Sequence, residues 1–414
     1  MENGCFQFPF SSFQFPFSIF RFSPMKVLIL ATDIYTRGGI ARHTYTFASV
    51  LADLLGPENV DLLALLAYGD TSDLHPRFRI LGPVSEQLTL GAKARFAVKA
   101  LAAARKRYDL IVCSHLGLAP VAAAIRSIYG TPFWVACYGT EAWARPPLFE
   151  RVGLRRSDLL LPISRFTAQK LVEVHRTPQH GMSIVYTTVP NHLERLLTAP
   201  PRPEGFEGLG AGVLTRERVL LSVGNLTRFH AYKGFDTVIS ALPKILADAP
   251  SVRYLVVGQG DNRPNLERLA AEVGVADRVT FVGEVSDAEL AALYRTCEVF
   301  VMPSGTLRAD GAVRGEGFGR VYAEAALAGK PVVGSCMGGA AEAVLDGKTG
   351  FLVNPGSVDE VAHAVIALLS DKQLAASMGA AGRKWAQENF TQTGLRRRLT
   401  QLLEARFGGE ACRS

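Results

Sequence analysis

The chain of 414 residues lacks the features that mark disulfide-rich, zinc-binding and membrane-spanning proteins. Its six cysteines lie far apart, with no Cys-x-x-Cys pair and no zinc-type spacing, which excludes a disulfide framework and a zinc ribbon. No run of about 18 uncharged apolar residues occurs, so we expect no membrane-spanning helix. Several cysteines fall within predicted buried strands, which is typical of reduced thiols in a cytoplasmic protein.

Two kinds of partner are also disfavoured by what the chain does not contain. No Asp-x-Asp pair is present that could hold a divalent ion beside a phosphorylated substrate, so we expect no metal site. No base-stacking or groove-reading motif accompanies the basic residues, so we expect no nucleic-acid partner.

The excess of positive charge is confined to the first half of the chain. The formal net charge is +7; residues 25–200 carry 20 Lys and Arg against 13 Asp and Glu, whereas residues 201–414 carry 24 of each sign. Six basic residues cluster in one helix-like stretch: Lys93, Arg95, Lys99, Arg105, Lys106 and Arg107. This stretch is either a solvated helix face or a surface for peripheral contact with an anionic membrane or a phosphorylated lipid acceptor.

Residues 1–24 repeat a phenylalanine-rich unit that begins at Phe6 and again at Phe13. They lack the basic start and the continuous apolar core of a signal peptide. Met25 directly precedes a buried-strand pattern and resembles a natural beginning. We therefore expect residues 1–24 to be a disordered extension or a result of start-site choice, with an aromatic membrane anchor as the alternative.

Beyond Met25, short Val/Ile/Leu strands alternate with longer helical segments, which is typical of right-handed βαβ units on parallel sheets. In the first half the predicted strands are Val27 to Ala31, Val60 to Leu66, Leu110 to Cys113, Phe133 to Cys137, Leu159 to Pro162 and Met182 to Val185. In the second half they are Val219 to Val223, Tyr254 to Val257, Val279 to Val282, Val299 to Met302, Pro331 to Gly334 and Gly350 to Val353.

The fold class that this pattern predicts is α/β, with two doubly wound domains that face a cleft. A proline-rich stretch that begins at Ala199 predicts a linker between the domains. The predicted boundaries are 25–198 for the first domain, 199–217 for the linker, 218–390 for the second domain and 391–414 for a last helical segment.

Two glutamates flank a glycine-bounded phenylalanine near the middle of the second domain. Glu316 follows an apolar strand, and Glu324 lies in a predicted helix, with seven residues between the two glutamates. Open α/β sheets bind ligands at this carboxyl edge of the strands. Gly317 and Gly319 allow a close approach of the backbone to a ligand, and the helix start favours an anion such as a diphosphate.

A second loop carries two cations. Arg228 and Lys233 lie between a predicted strand and a helix, with Gly224 before them and Gly234 after them. Arginine supplies a planar donor fork for phosphate oxygens, and lysine supplies a compact charge.

Together with Gly329 to Gly334 and Asp346 to Val353, these segments resemble glycosyltransferase family 4, from Met25 to about Phe390. The resemblance implies a GT-B fold and a retaining, metal-independent transfer of a sugar from a nucleotide-diphosphate donor to a lipid-linked or glycan acceptor, in cell-envelope or exopolysaccharide synthesis. It implies catalytic roles for Glu316, Arg228 and Lys233. It assigns donor binding to Gly38, Gly39, Asn225, Phe318, Gly319 and Glu324, and it suggests that the last helical segment packs back on the first domain, which carries the acceptor site.

The sequence departs from the family pattern at Tyr138, where the family frequently has a histidine that touches the transferred sugar. Tyr138 is retained as a sugar contact. The long loop before Glu316 is similar to that of lipid-linked mannosyltransferases, which favours GDP-mannose over UDP-sugars as donor.

Other classes of protein share parts of the pattern. The stretch Gly258-Gln259-Gly260 suggests a dinucleotide enzyme but lacks a third glycine. A nucleotide-sugar epimerase of the same fold and a non-catalytic relative that binds sugar nucleotides remain alternatives.

Overall fold

The structure is a computed structural model that describes residues 25–36, 39–67, 76–145, 147–177, 181–199, 217–309 and 312–408. The predictions for residues 1–24, for Gly38 and for most of the linker 199–217 concern residues outside these ranges.

Six parallel strands form the first sheet: β1 (Val27–Ala31), β2 (Val60–Leu66), β3 (Arg79–Ser85), β4 (Leu110–Cys113), β5 (Phe133–Cys137) and β6 (Leu159–Pro162). Their order is β3-β2-β1-β4-β5-β6, so the chain winds outward from β1 in one direction and then from β4 in the other. Except for β3, these strands are buried on both faces, as their Val- and Leu-rich sequences require.

Six helices surround the first sheet in the described part of the chain: α1 (Gly39–Leu55), α2 (Leu90–Ala104), α3 (Ala119–Tyr129), α4 (Thr140–Trp143), α5 (Leu148–Arg155) and α6 (Arg165–His175). A seventh helix, α7 (Asn191–Thr198), packs on the second domain, where its Leu193 and Leu197 are buried in the same cluster as Val219. Thr89 caps α2, and Ser164 caps α6, in each case by accepting a hydrogen bond from a main-chain N–H of the first turn.

The second sheet repeats the same plan. Its strands are β7 (Arg218–Val223), β8 (Val252–Val257), β9 (Val279–Gly283), β10 (Val299–Val301), β13 (Val332–Ser335) and β14 (Gly350–Val353), in the order β14-β13-β10-β7-β8-β9. The helices are α8 (Phe235–Asp248), α9 (Arg263–Glu272), α10 (Asp287–Thr296), α11 (Arg320–Leu327), α12 (Ala340–Ala343), α13 (Val358–Ser370) and α14 (Lys372–Asn389). The predicted fold class, two doubly wound α/β sheets that face a cleft, is confirmed.

An antiparallel hairpin separates β10 from Glu316. Its strands are β11 (Thr306–Ala309) and β12 (Ala312–Gly315). Val313 packs against the core of the first domain, and the Arg314 guanidinium lies 4.1 Å from the centroid of the Phe229 ring in the second. The hairpin therefore touches both domains.

The last helix, α15 (Gln392–Phe407), returns to the first sheet. Leu395, Leu399 and Leu403 are buried in the cluster that contains Val27 and Ile29 of β1. No helix within the described residues is both long enough and apolar enough to cross a bilayer.

Two strand predictions differ from the structure. The edge strand β3 is missing from the prediction because it contains Gly82 and Pro83, which a sheet tolerates only at its edge. The strand predicted for Met182 to Val185 is wrong: the segment runs beside β6 with a single bridge between Leu160 and Met182. The Nε atom of Arg398, on α15, donates a hydrogen bond to Ile184 O. That carbonyl is therefore bound by a guanidinium and not by a neighbouring strand.

Candidate active site

The winding direction of each sheet reverses at one point, and ligands of open α/β sheets bind outside the carboxyl ends of the strands there. In the second sheet this point lies between β7 and β10. The loop after β7 contains the short 3-10 helical turn Arg228–Lys233, and Glu316 directly follows β12. The structure therefore brings the two predicted loops together at the expected edge.

Lys233 and Glu316 form an ion pair at this edge. The Lys233 Nζ atom donates to Glu316 Oε2 at 2.9 Å. The two side chains are only 11% and 16% exposed, so both charges are largely withdrawn from water. A cation and a carboxylate are thus held together before any ligand binds.

Glycines make room for this lysine. A Cβ atom on Gly224 would lie 2.8 Å from Lys233 Cδ, so a side chain there would displace the end of the lysine from its position beside Glu316. Gly234 adopts a φ of +78°, and a Cβ there would lie 2.5 Å from Pro303 O. Gly258 packs against the main chain of Gly224, so packing explains this glycine without a dinucleotide.

Arg228 does not join the ion pair in this structure. Its side chain is 73% exposed, and its Nε atom lies 4.0 Å from Asp261 Oδ2. Its main-chain N–H donates to Asp261 Oδ1 at 2.8 Å, which fixes the loop. Asn225 lies exposed on the same loop. An exposed guanidinium with one long ion pair can turn toward a bound anion without breaking a buried contact.

Main-chain contacts shape the loop that carries Glu316. The Gly339 N–H donates to Glu316 O at 2.9 Å, and a Cβ on Gly338 would lie 2.8 Å from the same oxygen. Gly319 has a φ of +78° immediately before α11, where a side chain would clash with the Tyr322 ring. The first turn of α11 has main-chain N–H groups without partners inside the helix, which favours an anion.

The Phe318 side chain is a core residue. It is buried, with ring centroids 5.4 Å from Tyr186 and 4.8 Å from Phe390. Any contact between Phe318 and a donor therefore falls to its main chain.

Glu324 is buried on α11 and already holds two partners. Tyr294 Oη donates to Glu324 Oε2 at 2.9 Å, and Arg320 Nε donates to Glu324 Oε1 at 2.9 Å. Burial and the Glu324 charge raise the pKa of Tyr294 far above its usual range, so its hydroxyl stays a donor. Each carboxylate oxygen has a second lone pair, so the carboxylate can still accept a further hydrogen bond.

The first domain supplies the opposite wall of the cleft. Gly39 begins α1 directly beyond β1, at the point where the first sheet reverses direction. Tyr138 is buried. The Tyr138 carbonyl oxygen lies so close to Gly317 that any side chain at Gly317 would clash with it. The predicted sugar contact therefore touches the Glu316 loop, but through its main chain.

The sequence analysis missed two residues near this wall, His43 of the first domain and Arg320 of the second. The His43 ring packs edge to face on Tyr138, with ring centroids 5.6 Å apart, and burial, together with the positive charge of Arg320, lowers the pKa of His43. In the sequence both residues resemble ordinary helix residues. The only signal is that His43 follows the Gly38-Gly39 pair by one turn, the distance that places a side chain beside the helix start.

Glu342 of α12 connects the two domains. Its Oε1 atom accepts from the Phe166 N–H at 3.0 Å, in the first turn of α6, and its Oε2 atom accepts from Tyr186 Oη at 3.3 Å. Burial raises the pKa of Glu342. Within the described ranges, no group of three or more His, Cys, Asp or Glu side chains is arranged to hold a metal ion.

Comparisons with known proteins agree with this geometry. Residues 38–188 match the glycosyl transferase 4-like domain, and residues 212–385 match glycosyl transferases group 1. A GDP-mannose-dependent alpha-(1-6)-phosphatidylinositol monomannoside mannosyltransferase of Mycolicibacterium smegmatis is 36% identical over 272 residues, which cover 64% of this chain and 67% of that protein. The protein of the same description from Mycobacterium tuberculosis is 42% identical over 188 residues, 45% of this chain and 48% of that protein.

A crystal structure of Anabaena HepE in complex with UDP has the same fold, with a TM-score of 0.73 and 23% identity, and the match covers 92% of this chain and 100% of that one. The fold and the paired loops define the class of GT-B glycosyltransferases. With both domains matched and a transferase 36% identical over two thirds of its length, the chain belongs to glycosyltransferase family 4. This membership confirms the resemblance and favours transfer over the epimerase and non-catalytic alternatives.

Proposed function

We propose that the protein is a retaining glycosyltransferase that moves mannose from GDP-mannose to a lipid-linked acceptor of the cell envelope. The observation that carries this proposal is the Lys233–Glu316 pair at the carboxyl edge of the second sheet. It places a cation for a leaving diphosphate beside a carboxylate for a sugar.

The chemistry of retaining transfer explains why both charges are needed. The bond between the anomeric carbon and a phosphate oxygen of the donor breaks, and the acceptor oxygen bonds to the same face of that carbon. The acceptor proton passes to the departing phosphate oxygen. Negative charge develops on the diphosphate, and preorganised cations stabilise it.

In this proposal each predicted residue has one role. Lys233 leaves Glu316 for the diphosphate, and Arg228 turns inward to the same group. Glu316 accepts hydrogen bonds from the sugar hydroxyls and stabilises the electron-poor anomeric centre. Glu324 holds the ribose of the nucleotide. The two cations supply the charge that a metal would otherwise bring, so transfer proceeds without one.

The relatives support the choice of donor. The M. smegmatis and M. tuberculosis proteins are described as GDP-mannose-dependent, at 36% and 42% identity. The Anabaena protein is bound to UDP, but its sequence is only 23% identical to this chain, so the likeness supports the fold and not the donor. We therefore place GDP-mannose first and UDP-sugars second.

A surface of the first domain supports an acceptor carried in a membrane. Helices α2 and α5 begin at the carboxyl edge of the first sheet and expose apolar side chains there: Leu90 is 86% exposed, Leu148 67% and Phe149 78%. Three basic side chains on α2 are also exposed: Lys93, Arg95 and Lys99. Apolar tips among basic residues fit peripheral contact with the anionic cytoplasmic face of a membrane.

A transfer assay tests the reaction. Purified protein is incubated with GDP-mannose or UDP-glucose and with phosphatidylinositol or a mannosylated phosphatidylinositol in detergent. We expect a mannosylated lipid by mass spectrometry, with an α-linkage by NMR. A β-linked product would contradict retention, and hydrolysis or epimerisation of donor with no change in the acceptor would contradict transfer.

Vesicle sedimentation tests the membrane contact. The protein should bind phosphatidylglycerol vesicles but not phosphatidylcholine vesicles, and binding should weaken as the screening length falls from about 10 Å at 0.1 M salt to about 3 Å at 1 M. A chain that starts at Met25 should bind equally well, whereas neutralising Lys93, Arg95 and Lys99 should abolish binding. Neutralising three exposed lysines of the second domain is the matched control: Lys348, Lys372 and Lys384. Failure of the unaltered protein to bind at low salt would favour a soluble acceptor.

A further inference from the structure

The hairpin strand β12 lies between the two domains and has a different neighbour on each side. Successive residues of a strand face opposite sides, so Val313 and Gly315 share one side. Val313 packs on the core of the first domain, and a Cβ on Gly315 would lie 3.4 Å from the Trp143 ring of the same domain. The opposite side, with Arg314 and then Glu316, therefore faces the second domain.

Arg314 and Glu316 hold opposite ends of one turn, Arg228–Lys233. At the first end, the Arg314 guanidinium lies 4.1 Å from the centroid of the Phe229 ring. At the last end, Glu316 Oε2 accepts a hydrogen bond from Lys233 Nζ at 2.9 Å. One strand thus contacts both ends of the turn that carries the two predicted cations.

The first end of the turn has little packing of its own. Phe229 is 49% exposed, and the helical backbone angles are interrupted at His230. Two contacts of the Phe229 ring are described: His230, with centroids 5.0 Å apart, and Arg314. His230 belongs to the same turn, so of these two contacts the one with Arg314 connects the turn to another part of the chain.

The two holds differ in what happens to them when a donor binds. In the proposed reaction Lys233 leaves Glu316 for the diphosphate, so the hold at the last end is given up. The contact between Arg314 and Phe229 involves neither of these groups, so it can persist. It is also the contact nearer to Arg228, whose side chain must turn inward to the same diphosphate.

We propose that Arg314 is a positioning residue: by stacking on Phe229 it keeps the turn Arg228–Lys233 in place for the diphosphate while Lys233 exchanges Glu316 for the donor. The proposal rests on the proposed function, since it needs a nucleotide sugar in the cleft. It gives the long loop before Glu316 a role in donor binding. Because the other side of β12 packs on the first domain, the position of the turn then depends on both domains.

Substitutions on both sides of the contact test this role. Arg314→Met removes the guanidinium but keeps most of the stem, and Phe229→Leu removes the ring. We expect each to weaken GDP binding, measured by calorimetry, and to lower kcat/KM by about 3- to 30-fold, the range for a cation on an aromatic ring. The affinity for guanosine, which lacks both phosphates, should stay within about twofold, because the cations of the turn act on phosphate. Phe229→Tyr keeps the ring and should behave like the unaltered protein.

Two further variants separate positioning from other roles. In a protein that already carries Arg228→Ala, Arg314→Met should weaken GDP by a further factor of only about two or less, because the positioned group is gone. Lys170→Met is the matched control: Lys170 Nζ lies 5.5 Å from the centroid of the Phe166 ring, in the first domain. It removes a similar contact and should leave the ratio of GDP to guanosine affinity unchanged.

Three results would overturn the proposal. Additive losses from Arg314→Met and Arg228→Ala, with normal GDP affinity in Phe229→Leu, would make Arg314 a direct phosphate ligand. A lower Tm with an unchanged ratio of GDP to guanosine affinity would make the contact purely structural. Normal transfer by Arg314→Met and Phe229→Leu would remove the role of Arg314 and leave the proposed function standing. If the unaltered protein binds GDP but transfers from neither nucleotide sugar, the proposed function fails, while the GDP affinities still decide the role of Arg314.

Discussion

Replacing Lys233 by methionine should separate the two uses of its charge. In the ligand-free protein the charge neutralises Glu316 across 2.9 Å, and in the proposed reaction it stabilises the leaving diphosphate. Methionine keeps much of the stem volume that Gly224 accommodates but removes the ammonium group. Both stability and transfer should therefore fall, by different amounts and for different reasons.

The loss of stability follows from the burial of the pair. Removing one partner of a fully buried pair costs about 3–5 kcal/mol, whereas exposed pairs contribute about 0–1 kcal/mol. With side chains 11% and 16% exposed at the edge of a cleft, Lys233 and Glu316 lie between these limits. We expect Lys233→Met to lower the free energy of unfolding by about 1–3 kcal/mol. Transfer should fall by a factor of about 100 or more.

A double-mutant cycle with Glu316→Gln measures the pair directly. The unfolding free energies of the two single variants and of the double variant should not add, with a coupling of about 0.5–3 kcal/mol. Lys244→Met is the matched control, because Lys244 pairs with Asp359 at an exposed site of the same domain, with side chains 58% and 65% exposed. It should cost no more than about 1 kcal/mol and leave transfer unchanged. Additive stabilities, or normal transfer by Lys233→Met, would refute the reasoning.

Three further experiments examine other parts of the site. Glu316→Gln should lower kcat more than donor affinity, and Glu324→Gln should mainly weaken GDP binding; equal effects on both parameters in both variants would contradict this division. Added chelator should leave transfer unchanged, and inhibition that magnesium or manganese reverses would show that a metal takes part. The pKa of His43 is lowered to about 4 in the folded protein, so the unfolded chain binds one more proton than the folded chain between pH 6.5 and pH 4. The free energy of unfolding should therefore decrease as the pH is lowered through that window. Relative to His43→Leu, the unaltered protein should lose about 3 kcal/mol between pH 7 and pH 4 in denaturant titrations, and parallel curves would exclude this linkage.

The sheets and the second-domain loops are predictable because their determinants are local. Each buried parallel strand is a short Val/Ile/Leu run, and the loops that carry Lys233 and Glu316 follow such runs directly in the chain. Gly319, which the sequence predicts only as a point of close backbone approach, has a positive φ of +78° that favours glycine. The reversal of strand order between β7 and β10 then brings both loops to one edge without further information.

The first-domain wall is harder to predict because its contacts connect distant parts of the chain. His43 and Tyr138 lie on separate elements, and nothing in the spacing of either residue indicates that their rings meet. The same holds for Glu342 and Phe166, which join the domains. The orientation of Arg228 cannot be predicted from the sequence either. Its main-chain N–H donates to the side chain of Asp261, which follows a different strand, and this hydrogen bond fixes the loop. Edge strand β3 is not predicted because its glycine and proline interrupt the apolar run that marks the other strands.

At the loop that carries Glu316, the two domains meet through main chain. Tyr138 O packs on Gly317, and in the second domain Gly339 packs on the Gly317 carbonyl. A loop compressed between two backbones has little freedom, so Glu316, its neighbour, is positioned by contacts from both domains at once. The loop that carries Glu316 and the wall of the first domain thus share one support, the Tyr138 main chain. The role proposed for Glu316 therefore depends on both domains, because the backbone of this single loop contacts each of them.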